Sequence, residues 1–117
     1  MNKQQKGRRG EDIAARFLEE KGYRIIQRNF RYDRGEIDII AQDGMELVFV
    51  EVKSRENEAF GLPEESITPS KEEQLKKVAE GYLFERGIDT QPCRFDVVAI
   101  TFVEGNPKIR LLQNAIT

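Results

Sequence analysis

The chain has no histidine, a single cysteine (Cys93) and no long apolar run. Without histidine there is no Ser-His-Asp or Cys-His machinery, no His-ligated zinc and no imidazole general base. With one cysteine there is no internal disulfide, and a structural zinc site has too few ligands. No apolar stretch approaches the roughly 20 residues of a membrane span. The first ten residues are polar and basic, without the apolar segment of a secretory leader, so the expected location is cytoplasmic. What remains for chemistry is carboxylates, lysine, hydroxyls or a hard metal ion. Hard cations take oxygen ligands, which points to magnesium or manganese.

At 117 residues, 38% hydrophobic and 34% charged, the chain reads as one domain, residues 1–117, with enough apolar content for a core. The net charge of −2 hides an asymmetry. Residues 1–34 hold ten Lys/Arg against five Asp/Glu, and residues 35–117 nine against sixteen. Lys3, Lys6, Arg8, Arg9, Arg24, Arg28, Arg31 and Arg34 form either a phosphate-facing surface or an ordinary solvated face.

Periodicity predicts a helix over 7–21, with Ile13, Ala14, Phe17 and Leu18 on one face and Gly22 as its cap. A strand over 23–30 and a turn at 32–35 follow. The next strands, 36–42 and 46–54, flank Asp43-Gly44, a strong hairpin signal. Residues 55–67 read as a long loop of functional type. A second helix starts near Thr68 or Ser70, with Pro69 in its first turn and a Ser70–Glu73 capping box. Its buried stripe is Leu75, Val78, Ala79, Tyr82 and Leu83, and Gly87 ends it. Strands over 94–103 and 108–113, joined by Gly105-Asn106-Pro107, complete an α-β-β-β-α-β-β order. The fold class is α/β, a mixed central sheet flanked by helices.

Chemistry concentrates in Glu51-Val52-Lys53, which closes the apolar run Leu47-Val48-Phe49-Val50. Strand alternation puts Glu51 and Lys53 on one face, about 6.6 Å apart. Counting outward from the Asp43-Gly44 turn brings Asp38 opposite or diagonal to Glu51, good to a residue or so. Phosphodiester hydrolysis needs neutralised phosphate oxygens, a positioned water and a stabilised leaving oxygen. Magnesium held by Asp38, Glu51 and the Val52 carbonyl supplies much of this, and Lys53 orients the water or stabilises the transition state. On pattern alone, a carboxylate–lysine pair on a solvated sheet face fits equally well.

Gly35-Glu36-Ile37-Asp38-Ile39-Ile40-Ala41 followed by Val48-Phe49-Val50-Glu51-Val52-Lys53-Ser54-Arg55 resembles the PD-(D/E)XK nuclease superfamily. More closely, the chain resembles the YraN-like family of small bacterial predicted endonucleases. The likeness runs from Gly10-Glu11 to Arg94-Phe95-Asp96-Val97-Val98. The superfamily's name-giving proline is Ile37 here; that position varies, and every charged position is present. The resemblance implies a restriction-endonuclease-like core and kinship with archaeal Holliday-junction resolvases. It also implies a first-helix glutamate, Glu11, directed at the metal site. Without the resemblance Glu11 reads as an acid near a helix N-terminus. Glu36 shares the strand face of Asp38, as a supporting acid or a surface charge. Lys71 and Gln74, near the second helix's N-terminus, and Arg55 fit either phosphate contacts or a solvated face. Asp96, inside an apolar strand, reads as a structural partner for a basic group.

These features predict a metal-dependent nuclease acting on branched or structured DNA, with a homodimer attractive if two strands are cut. A binding module with little turnover is the alternative, motivated by the acidic pI of about 5.3. An interaction protein with no nucleic-acid role ranks last.

Overall fold

A computed structural model describes residues 3–59 and 61–117. The side chains of Lys3, Gln4 and Lys6 lie outside that description, and with them the Lys3 and Lys6 part of the expected basic surface. The elements run α1 (Lys3–Glu20), β1 (Arg24–Tyr32), β2 (Gly35–Asp43), β3 (Glu46–Arg55), a 3-10 turn at Pro63–Ser66, α2 (Pro69–Arg86), β4 (Cys93–Val103) and β5 (Asn106–Ile116). This is the expected α-β-β-β-α-β-β order, consistent with a restriction-endonuclease-like fold.

The five strands make one sheet in sequential order. All neighbours are antiparallel except β3 and β4, which run parallel. A parallel pair needs a long crossover, and the segment containing α2 provides it. Every other connection is a tight turn. Gly44 has φ 59°, and Glu104 and Gly105 have φ 52° and 80°, the positive values that two-residue hairpins require. The last turn is therefore Glu104-Gly105, and Asn106-Pro107 already belongs to β5. Pro107 is tolerated there because β5 is an edge strand.

Strand alternation divides the core into two layers. Val48, Val50, Val98 and Ile100 face Ala14, Ala15 and Leu18 of α1. Leu47, Phe49 and Val97 face Leu75, Val78, Ala79 and Tyr82 of α2. Helix α1 starts earlier than its apolar periodicity shows, because Lys3-Gln4-Gln5-Lys6 are good helix formers without an apolar face. Helix α2 is capped by Thr68, whose hydroxyl accepts from the Lys71 N–H at 3.2 Å. The expected Ser70–Glu73 box is not the cap, since Ser70 already lies inside the helix. Gly87 closes α2 in the left-handed region, at φ 64°.

One polar cluster ties the strand ends opposite the site. Asp96 is fully buried, at 0% exposure. It accepts from Arg94 Nε (3.0 Å), the Tyr23 hydroxyl (2.9 Å) and the Asn114 N–H (3.0 Å). Arg94 also reaches Asp43 (2.7 Å) and Glu46 (2.8 Å). Asp96 is thus the structural partner of a basic group, as expected. Burial raises the Tyr23 phenol, with Asp96 adding to the rise. Cys93 is exposed at the start of β4.

Candidate active site

The register of the β2–β3 hairpin is Asp43↔Glu46 through Ile39↔Val50. One step further lie Asp38 and Glu51, where the ladder ends. There Asp38 stands in for the departing strand, its Oδ2 accepting the Val52 N–H at 2.8 Å. The Asp38 carboxyl lies close enough to that of Glu51 for its protonated form to hydrogen-bond to it. Burial, above all, and then the bond to Glu51 and its charge push Asp38 from 3.8 up to about 8. The Val52 N–H and the nearby Lys71 charge oppose that rise. Glu51 is buried, and Lys71 Nζ in the first turns of α2 lies 3.6 Å from its Oε2. Lys53 is half-buried and makes no ion pair among the described residues.

Irregularity on the other side of Asp38 shapes the rest of the site. Phe30 pairs Ile37 and Arg28 pairs Ile39, leaving Asn29 across from Asp38 outside the regular ladder. Asn29 has φ 56°, a value non-glycine residues seldom adopt. Its amide donates to Glu11 Oε1 at 2.9 Å, and Arg28 Nε donates to the same oxygen at 2.9 Å. Glu11 itself is 9% exposed. Gly10, one residue earlier, faces Ser54 of β3 with room for a Cβ at ordinary contact distance, 3.4 Å from Ser54 Oγ.

Glu11, Asn29, Glu36, Asp38 and Val52 line one open cleft with Gly7, Arg8 and Arg31. Glu11 and Asp38 therefore line the same cleft. Glu11 is nonetheless neutralised by Arg28, and among the described residues no three Asp, Glu, Cys or His side chains converge as a metal-binding group. Arg31 is exposed and lies 3.8 Å from Glu36. The other basic residues disperse. Arg9 stacks over the Phe102 ring at 4.5 Å and lines a groove on the outer side of α1. Arg34 opens onto a third groove beside α2, where Gln74 donates to its carbonyl at 3.4 Å. Arg55 is half-buried at the end of β3. Asn29 and the Arg28–Glu11 pair escaped sequence reasoning; the one local signal was the asparagine itself, a residue that tolerates the left-handed region, set inside a strand-like run.

The chain matches the family model described as "Uncharacterised protein family UPF0102" over residues 10–100. A UPF0102 protein of Symbiobacterium thermophilum is 50% identical over 110 residues, 93% of this chain and 93% of the relative. One of Geobacter sulfurreducens is 48% identical, covering 93% of this chain and 86% of its own length. One of Dehalococcoides mccartyi is 42% identical over 98% of this chain and 95% of its own.

Proposed function

The chain belongs to the UPF0102 family, and from that premise we propose that it is a metal-dependent endonuclease-like protein hydrolysing phosphodiester bonds in DNA, branched or structured DNA in particular. The Asp38–Glu51 pair carries this reading. A buried Glu51 carboxyl and a half-buried Asp38 carboxyl that keeps its proton up to about pH 8, set together where strands part beside an open cleft, are costly to keep for structure alone. They form an all-oxygen donor set that suits a hard dication, which would replace the Asp38 proton.

Magnesium, or manganese, held by Asp38 and Glu51 and by the Val52 carbonyl would supply Lewis acidity and positive charge against the phosphate oxygens. The chain's own groups do the rest. Lys53, with no partner in the described residues, is free to orient the attacking water or to offset charge in the transition state. Arg8 and Arg31 on the cleft wall hold phosphates, supported by Lys71 beside Glu51 and by Arg55 at the end of β3; Gln74, Arg9 and Arg34, on other grooves, reach DNA only where it extends beyond the cleft. Glu11 joins the catalytic group once Arg28 is drawn toward phosphate. A binding module with little turnover is the second reading, favoured by the capture of Glu11 by Arg28 and Asn29.

A cleavage assay with magnesium or manganese on junction, flap, single-stranded and duplex DNA separates the two. We expect metal-dependent cutting that falls at least about a hundredfold in Asp38→Ala and Glu51→Ala. Equal activity in those variants would remove both residues from the site. Salt-sensitive binding without cutting in any metal would establish the module instead.

A further inference from the structure

Helix α2 has a second face that the sheet does not cover. Ser70, Glu73, Lys77, Glu80 and Phe84 recur at spacings of three and four along it and line one wall of a groove. The β1–β2 turn, with Tyr32 and Arg34, forms the other wall. Phe84 is 82% exposed and Tyr32 36%. Tyr32 is seated firmly: a Cβ on Gly81 would fall 2.4 Å from its ring, so only glycine admits the ring at that position. Aromatic side chains in fixed positions are what protein–protein interfaces concentrate.

The charges on this face decide the kind of partner. Lys77 and Arg34 alternate with Glu73, Glu80 and Asp33, and Glu73 already has Lys76 at 3.4 Å. A nucleic-acid backbone or an acidic peptide calls for a predominance of cations, which this groove lacks. A two-fold interface calls for both signs within one patch, because the patch must complement itself. From the self-complementary charge and the exposed aromatic pair, we infer that this face binds a second copy of the chain, with the two α2 helices crossing antiparallel. A crossing centred between positions 78 and 79 sets Lys77 of each copy against Glu80 of the other. The same register carries Phe84 opposite Glu73 at the end of the other copy's groove, beside Gln74 and Arg34. Residues 70 to 84 span roughly 21 Å of helix. With the β1–β2 turn, that length suits the low end of the size range of specific interfaces, about 600–800 Å² per partner. The dimer does not depend on what the Asp38 cleft cuts.

Sedimentation velocity of the full chain from 1 to 100 μM, on the order of concentrations where such interfaces associate, tests this. The wild type should show monomer–dimer exchange within that range. Phe84→Ser, at an exposed position that leaves folding intact by circular dichroism, should weaken it by about tenfold or more. Lys77→Glu should do the same by setting acid against acid, and Lys77→Glu combined with Glu80→Lys should restore the dimer. A wild type that stays monomeric throughout, a dimer indifferent to Phe84→Ser, or a charge swap that fails to restore association would overturn the proposal.

Discussion

Asp38 is the residue at which folding and chemistry meet. Its carboxyl is held near pH 8 by burial and by Glu51, against an ordinary value of 3.8. A raised carboxyl pKa makes the group's contribution to stability whole below about pH 4, where both folded and unfolded states keep the proton. It drains as pH rises and is lost through about pH 8. Asp38→Asn replaces the protonated carboxyl by an amide of the same shape, which still accepts from Val52 and donates to Glu51. In metal-free buffer the variant should therefore melt near the wild type at pH 4 and above it at pH 9. A constant gap between the two melting curves across that range would show that Asp38 does not hold a proton in the native state. The opposition of Asp38 and Glu51 was legible in the sequence because Asp43-Gly44 anchors the register and no bulge intervenes before Ile39. Glu11's surroundings were not, since they depend on the backbone of Asn29. Asparagine tolerates the left-handed region better than most residues, but nothing in the flanking apolar pattern marks this one inside a strand.

At the level of elements, α2 is where reading by pattern succeeded and then stopped. Its stripe of Leu75, Val78, Ala79 and Tyr82 is buried as the spacing indicates, whereas its cap is Thr68. Two adjacent capping signatures compete, and the side chain that meets the Lys71 N–H wins. Gly81 shows how tightly the helix is fitted to the β1–β2 turn. In an exposed helix, Gly→Ala gains up to about 1 kcal/mol. Here the new methyl drives into the Tyr32 ring, so Gly81→Ala should cost about 1–3 kcal/mol net. Most of that loss should return in the double variant Gly81→Ala with Tyr32→Ala, because the two side chains then no longer collide. Urea unfolding of the four proteins measures it. An independent sum of the two single effects would mean that the helix shifts rather than the ring.

Across the whole molecule, the sheet was legible as strands in order, since each hairpin carries its own turn chemistry. The pairing of β3 with β4 rests on contacts far apart in sequence, beyond the reach of local pattern. Long-range polar contacts are also what secure the sheet. Through Arg94, Asp96 and Tyr23, the approach to β1, the β2–β3 turn, β4 and β5 are all joined at one end. Tyr23 additionally accepts from Gln113 of β5 at 2.9 Å. At the other end, where β2 and β3 part beside Asp38, the described polar contacts are divided: Glu11 with Arg28 and Asn29 ties α1 to β1, while Asp38 with Val52 and Lys71 with Glu51 tie β2, β3 and α2, and neither group reaches β4 or β5. Amide hydrogen exchange should accordingly be slowest around Tyr23, Glu46 and Phe95 and faster around Asp38 and Lys53. Arg94→Met should erase that gradient while leaving the fold in place. The molecule is then hinged like a hand fan, riveted at the Arg94 end. The blades spread most easily where a bulky guest enters, and a ligand held between Asp38 and Glu51 would draw them closed.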